Sequence, residues 1–445
     1  MSTAASPTGA SFLRRRGARV ALGAASVAGL SLLTASPAFA ATDADCTDAN
    51  TVDAGAGGTL ADIQSLLDAD TAVICLGGVF DVSTTLTFDY ELTLYGLSGA
   101  VLDGGGDTQI LRALSEDAVT VQNLVFSNGS ASDGGAISAY DVTTIDSRFE
   151  SNEAFLGGAI SAYSVVSEGS TFVDNTAELG GAIQTYDFAD ISTSTFTDNG
   201  ANYGGAVFSY GYVGIDSSTF EGNFAEGAGG AVLADEEFWV VNSTFVGNTV
   251  AEGAGGAING DYGTVLQSTF LDNTADTGQA LYSWDDGVVE VRGNIFSGAS
   301  SSAQLDGFEE ATVTDLGGNL FSTTAATETF LSDVQSSTGF GLPVALLFDG
   351  ATLADNGGPT ETVALYAGSP AVDAVPVGEP SVTVDQRGVP RDARSDAGAY
   401  EYVPAPAPQA LAATGSTTAG WAAAAAGALL AAGAAVIATA RRRRA

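Results

Sequence analysis

The hydrophobic and polar positions alternate over short stretches, and they do so again and again. Ala136-Ile137-Ser138-Ala139 and Val142-Thr143-Thr144-Ile145 are two such short stretches of mixed apolar and polar residues, read as strands with one buried face. Gly, Asn and Asp separate these stretches. A Phe-x-x-Asn element occurs at Phe149–Asn152, Phe172–Asn175, Phe196–Asn199, Phe220–Asn223, Phe245–Asn248 and Phe270–Asn273, with spacings of 23, 24, 24, 25 and 25 residues. A Gly-Gly-Ala-Ile/Val element keeps step, starting at Gly134, Gly157, Gly180, Gly204, Gly229 and Gly255, with degenerate copies at Phe126-Ser127-Asn128 and Gly278-Gln279-Ala280. A unit this short cannot hold two helices, and it shows no helical period. It reads as one coil of an all-β solenoid of roughly 24-residue coils, in which each coil buries its inward face only by stacking on the next. The repeat residues then acquire jobs. The Phe points inward as an aromatic column. The Asn takes the turn after it, tolerating left-handed backbone and bonding amide to amide up the stack. The Gly pair supplies positive φ at the next corner.

Upstream the period changes. Leu60, Ile63, Leu66 and Leu67 have helical spacing, which predicts a short helix capping the open end of the solenoid. An end coil without a cap would offer unpaired edges. Cys46 and Cys75 are the two cysteines, an even pair suited to a disulfide in an exported chain. The stretch from Val79 to Asp103 reads as the first strands, and the repeat is regular only after Val119. The expected organisation is a signal peptide over 1–40, an N-terminal cap over 41–78, a β-helix body over 79–310 and a C-terminal β-helix or cap region over 311–402. A Pro-rich linker over 403–410 and a sorting signal over 411–445 complete it.

Two resemblances sharpen this reading. The Gly-Gly-Ala-Ile and Phe-x-x-Asn signature resembles the polymorphic outer-membrane-protein type of repeat, which implies a right-handed parallel β-helix of the pectate-lyase-like class. Asp355-Asn356-Gly357-Gly358-Pro359-Thr360, Gly368-Ser369-Pro370-Ala371-Val372-Asp373, Asp385-Gln386-Arg387-Gly388 and Asp396-Ala397-Gly398-Ala399-Tyr400-Glu401 resemble the C-terminal part of "choice-of-anchor Q" β-helix proteins. Together these cover roughly residues 55–402. They specify a fold well and an activity poorly.

The two ends carry addresses. Arg14, Arg15, Arg16 and Arg19 precede an apolar run from Val20 to Leu33, and Ala38-Phe39-Ala40 follows, so cleavage is expected between Ala40 and Ala41. The arginine cluster leaves Sec and twin-arginine export both open. At the other end Leu411-Ala412-Ala413-Thr414-Gly415 precedes an Ala-rich stretch from Ala419 to Ala440 and then Arg441 to Arg444. The stretch is long enough to span a bilayer, with the arginines held inside. Motif, span and basic tail in that order resemble a Gram-positive cell-wall sorting signal. Ala412 stands where the commoner motif has Pro, which is the LAxTG variant associated with high-GC bacteria. The resemblance implies that a sortase cuts between Thr414 and Gly415 and joins Thr414 to a peptidoglycan precursor, with a membrane span only before processing.

Charge and missing residue types exclude chemistry. The removed ends carry eight arginines and no acids, so residues 41–414 keep 14 − 8 = 6 basic residues against 53 acidic ones, a net charge of −47. Such a surface repels nucleic acid. The chain contains neither His nor Lys, which removes Ser-His-Asp catalysis, His-ligated zinc and lysine bases. It also removes the side-chain amine that pilus polymerisation uses. Polygalacturonase-like motifs are absent, and Asp285-Asp286 reads as a solvated turn. A lyase would need a calcium site and a base, for which Arg112, Arg148 and Arg292 are the arginines along the body, with Arg148 the candidate. Nothing gathers carboxylates around it, so no catalytic and no metal-ligating residues are assigned. The expectation is a non-enzyme without cofactor.

Two further patterns bear on binding. Six residues after the first Gly of each repeat stand Tyr140, Tyr163, Tyr186, Tyr210, Asp235, Asp261 and Trp284. Stacked coils would align them in one column, either a solvent-facing strip for sugar rings or a packing ladder; the periodicity favours the ladder without deciding. Asp133, Glu153, Glu178, Glu226, Glu252 and Asp276 lie just before the glycines. They read as solvated charge, with Ca²⁺ as the alternative. Arg387, Arg391 and Arg394 beside Asp385, Asp396 and Glu401 read as an ion-pair network locking the C-terminal region. The resulting expectation is a monomeric, extracellular, wall-anchored surface protein that binds a glycan or a ligand on a host or neighbouring cell. Its rivals are a polysaccharide lyase or hydrolase and a purely structural coat. The linker is short, at ~3.1 Å per residue, and stacked coils give a rod on the order of 50 Å.

Overall fold

A computed structural model describes residues 42, 45–284, 287–298, 302–308, 310–324, 327–328, 331, 338–378 and 382–404. The signal-peptide junction at Ala40 and Ala41, the sorting motif Leu411 to Gly415 and Asp285-Asp286 lie outside them. The chain divides into two units, Met1–Tyr402 and Val403–Ala445. Of the second, Val403 and Pro404 are described, both exposed and without regular structure.

The first unit is the expected parallel β-solenoid. A 17-stranded sheet and an 11-stranded sheet run its length, with a 3-stranded sheet on a third side. Most coils of the regular region have one long strand, such as Ile137–Ile145, then a short one, such as Arg148–Glu150; in the coil of Tyr210 the long strand is split into Val207–Ser209 and Tyr212–Asp216. Pairing is parallel and mostly in register: Ile137 opposes Ile160, which opposes Ile183, and Phe149 opposes Phe172. The apolar side of this period-two pattern fills one continuous core. Because equivalent residues stack, every core choice is repeated along the rod.

Three ladders hold that core. Phe126, Phe149, Phe172, Phe196, Phe220, Phe245, Phe270, Phe296 and Phe321 stack face to face, with centroids 4.6 Å apart at the closest. Phe340 closes the stack against Phe321 at 5.0 Å. The second ladder is the buried asparagines. From Asn152 to Asn248 each Nδ2 donates to the Oδ1 of the next, 3.0 Å for Asn152 to Asn175 and 2.9 Å for Asn175 to Asn199, and also to the carbonyl of an earlier Phe. The same Oδ1 accepts the backbone N–H of the asparagine before it. A buried amide is thus fully used, the condition for tolerating it. The third ladder was not anticipated: Ser147, Ser170, Ser194, Ser218, Ser243 and Ser268 each pass a backbone N–H to the next hydroxyl, and Asn294 and Asn319 continue it.

The turn geometry differs from expectation in one respect. The ladder asparagines are not left-handed. The residue before each is: Ser151, Asp174, Asp198, Gly222, Gly247 and Asp272 have φ of 54°, 54°, 53°, 64°, 65° and 53°. An asparagine in that conformation would swing its amide out of the stack, so the turn strain falls on its neighbour. The first glycine of each pair does adopt positive φ, as at Gly180 with 64°. The second is required by crowding instead. A Cβ on Gly181 would lie 2.0 Å from the Gly205 carbonyl oxygen of the next coil.

The N-terminal end is closed by a helix pinned by a disulfide. The helix α1 (Leu60–Leu67) starts at a capping box of Thr59 and Asp62 and buries Ile63 and Leu67 in the solenoid core. Gln64 bonds both the carbonyl and the N–H of Thr87. Cys46 and Cys75 form a disulfide with Cα atoms 5.8 Å apart. At the other end, the segment around 347–402 packs along the side of the coils. It shares a second core in which Leu347, Phe348, Val363, Leu365 and Val375 join Leu271, Ile295 and Leu320. Gln386 reaches Thr219, Thr244 and Thr360 with bonds of 2.8, 2.6 and 2.9 Å.

Candidate ligand-binding surface

The tyrosine positions sit on the outer face of the 17-stranded sheet. In the long strand Ile137–Ile145, Ile137 points inward and Ser138 and Tyr140 outward, and the coil above repeats this with Ser161 and Tyr163. The Tyr140 and Tyr163 rings stack at 4.7 Å with planes 5° apart. Tyr163 is 39% exposed and Tyr186 51%. Solvent strip and packing ladder therefore coexist: each ring covers its neighbour and leaves an edge and part of a face to water.

The column is not continuous. Ala162 opposes Thr185, but Ser164 opposes Phe188. The strand holding Tyr186 carries one extra residue there, which lengthens the coil from 23 to 24 residues. The stack breaks at this bulge and resumes as a second pair, Tyr186 and Tyr210, at 5.6 Å. A second irregularity lies between Ala234 and Glu237, where Asp235 replaces the aromatic residue. Trp284 stands apart from both pairs, edge-on to Tyr282 at 5.7 Å. Exposed Tyr262 lies beside the second irregularity, one residue beyond the repeat position and so unseen in the sequence.

The Tyr140–Tyr163 pair forms a ridge with a shallow depression on each side. One, of about 390 Å³, is lined by Ser138, Ser161, Tyr186, Asp133 and Arg112 among others. The other, of about 320 Å³, is lined by Asp141, Val142, Thr143, Ser164, Val166 and Phe188. The floor of the first follows one outward column, Arg112, Ser138 and Ser161; the next residue of that column, Gln184, is fully buried and does not line it. The Ser161 hydroxyl donates to the Gln184 Oε1 at 2.9 Å, and the buried Gln184 Nε2 has no hydrogen-bond partner among the described residues. The next two positions of the column are Phe208 and Leu233, buried in a small apolar cluster with Leu179 and Tyr210. The groove's floor stops before that cluster, at Ser161.

The field at the ridge is negative. Partial burial, then Tyr163, Glu116, Asp141 and Asp187, hold the Tyr140 phenol above its ordinary value. Burial and then Asp133 do the same for Tyr186, and burial, Tyr186 and Asp235 for Tyr210. Beyond Val166 in the neighbouring outward column lies Asp190, whose carboxyl burial pushes up to about 6. It faces the Tyr212 hydroxyl across Gly214, where a Cβ would sit 2.6 Å from Asp190 Oδ1 and 2.5 Å from Tyr212 Oη.

The other candidates are placed as follows. Arg148 pairs with Glu150 at 2.6 Å on the surface. Arg292 is buried, with its guanidinium on the carbonyls of Leu316 and Pro376. The acidic residues before the glycines do not share a register: Asp133 opposes Leu156, while Glu153 opposes Ser130 and Thr176. No group of three or more His, Cys, Asp or Glu placed to hold a metal occurs among the described residues. Arg387 pairs with Asp385 at 2.7 Å and lies 3.6 Å over the Tyr400 ring. Buried Arg391 pairs with Glu401 at 3.2 Å and reaches Asn242 of the solenoid at 2.9 Å. Arg394 donates to the Asp373 carbonyl.

Residues 217–235 match the Chlamydia polymorphic membrane protein repeat. This segment spans most of one coil, with Phe220, Asn223 and the Gly229-Gly230 pair in place. Together with the solenoid, the match supports a parallel β-helix protein of the surface-exposed kind. No curated protein matches the chain. No helix among the described residues is long and apolar enough to cross a membrane.

Proposed function

We propose that this is a wall-anchored surface protein of a high-GC Gram-positive cell, joined to peptidoglycan through Thr414, whose tyrosine ridge binds glycan without catalysis. The observation that carries the binding reading is the Tyr140–Tyr163 stack standing between two grooves. Exposed aromatic faces flanked by hydroxyls suit a sugar, which has apolar ring faces and polar edges. Rigid stacked coils hold those faces in place before ligand arrives, which lowers the ordering cost of binding. The non-catalytic reading is supported by the lack of His and Lys, by the engagement of Arg148 and Arg292 elsewhere, and by the lack, among the described residues, of any carboxylate group placed to hold a metal beside Arg112, which lines the first groove. The anchoring reading rests on the Leu411-to-Gly415 motif with its apolar span and basic tail, and on the resemblance to choice-of-anchor β-helices.

A glycan array probed with the purified protein and with a Tyr163→Ala/Tyr186→Ala variant tests the binding. Binding that the variant loses, with its circular dichroism unchanged, supports the ridge. Absence of binding to any glycan refutes it and leaves a structural coat element. Replacing Thr414 by Ala should move the protein from the wall fraction to the membrane or medium; wall attachment that survives the change refutes the anchoring.

A further inference from the structure

The ridge carries charge of one sign on both flanks. Asp133 lines the groove on one side of the Tyr140–Tyr163 stack and Asp141 the groove on the other. Asp187 occupies the bulge next to exposed Tyr186. A cation over a tyrosine face is attracted by the ring quadrupole, and a carboxylate beside the ring adds to the attraction. An anionic sugar would meet the reverse, on a chain with 53 acidic residues. Arg112 is the exception. It lines the first groove one coil below Ser138, is exposed, and makes no ion pair among the described residues. One cation at one end and carboxylates along the rest give the groove a polarity.

From this charge complementarity, and resting on the glycan-binding reading above, we infer that the ligand is an amine-bearing glycan, a hexosamine chain with free amino groups, stacked on Tyr140, Tyr163 and Tyr186 with its ammonium groups toward Asp133 and Asp141. The hydroxyls of Ser138 and Ser161 face sugar hydroxyls along the floor. Arg112 repels the ammonium groups and sets which end of the chain enters the groove. The rival acidic-sugar occupant would use Arg112 as its anchor, so the two ligand classes predict opposite effects of removing it. A lysine-rich peptide shares the charge but not the ring faces.

Titration calorimetry of the purified protein with soluble glucosamine oligomers, with the same oligomers N-acetylated, and with oligolysine of equal charge separates these cases. The glucosamine oligomer should bind about tenfold more tightly than its acetylated form, the size expected from one partly desolvated cation–π contact, and should weaken as salt screens the exposed charges. Asp133→Asn should weaken it severalfold, Arg112→Gln should leave it unchanged or tighter, and Tyr163→Ala should abolish it. If the acetylated oligomer binds as tightly and still needs Tyr163, the inference falls and the glycan-binding reading stands. Loss of binding in Arg112→Gln, or equal binding of oligolysine that survives Tyr163→Ala, overturns the inference. If neither oligomer binds, glycan arrays included, both fall together.

Discussion

The asparagine ladder sets the most stringent test of the fold. Asn199 is fully buried. Its Nδ2 donates to Asn223 Oδ1 and to the Phe172 carbonyl, both at 3.0 Å. Its Oδ1 accepts the Asn175 N–H at 3.0 Å and the Asn175 Nδ2 at 2.9 Å. Asn199→Ala strips the Asn175 N–H of its partner, frees one Asn175 amide proton, and removes a donor from the Phe172 carbonyl. Each buried group left unsatisfied costs ~1–3 kcal/mol. Because the three share one void that can relax, ~3–6 kcal/mol is expected for the sum. Asn223 keeps its bond from the Asn199 backbone N–H, so the damage should stay local. Long repeat arrays can depart from two-state unfolding, so amide exchange is the better assay beside the urea midpoint: the Asn175 amide should lose protection while amides several coils away keep theirs. Asn199→Asp supplies the discriminating control. It preserves the acceptor oxygen but sets a carboxylate among carbonyl and amide oxygens, which raises its folded pKa above ~3.9. Its stability should be near full below that value and be lost as pH rises through the folded pKa. A cost for Asn199→Ala no larger than for half-buried Thr197→Ala, or an Asn199→Asp variant indifferent to pH, would refute the ladder as a source of stability.

The same reasoning reaches other sites. Gly181→Ala drives a Cβ to 2.0 Å from the Gly205 oxygen and should lower stability by ~2–4 kcal/mol; Gly247→Ala, with open space around it and a φ of 65°, should cost only the ~1–2 kcal/mol of left-handed strain, and equal urea midpoints would sink the distinction. Arg391→Met leaves Glu401 buried without its cation, a loss of ~3–5 kcal/mol, and limited proteolysis should then cut within 371–402 while the coils resist. Burial raises the carboxyls of Asp190 and Asp396 to about 6, above their unfolded values. Their contribution is therefore fully present below pH ~3.9 and is lost as pH rises to about 6. Melting temperature should fall across that window, with Asp190→Asn removing part of the slope; a flat or rising profile contradicts it.

How far the sequence speaks depends on whether a feature repeats. The phenylalanine stack and the glycine corners were legible because a 23- to 25-residue period puts identical side chains in contact. The serine ladder is equally periodic, two residues before each Phe, but a lone Ser in a β stretch carries no turn or core signal. The left-handed position was misassigned to Asn because propensity favours Asn there, whereas the demand for an unbroken amide ladder puts Ser, Asp or Gly in that role. Packing of the 347–402 segment against the coils could not be read, since its partners Gln386 and Thr244 are 142 residues apart and share no period. The candidate site falls between these cases. Its tyrosines follow the repeat, but the features that bound a groove among them are the departures: the extra residue at the Tyr186 bulge and the change, along the column under it, from Ser161 to buried Gln184 and Phe208. A perfect repeat would extend one uniform aromatic ladder along the rod and offer no bounded site. Consistency across coils specifies the solenoid, and it is where one coil breaks the rule that a ligand has an end to recognise.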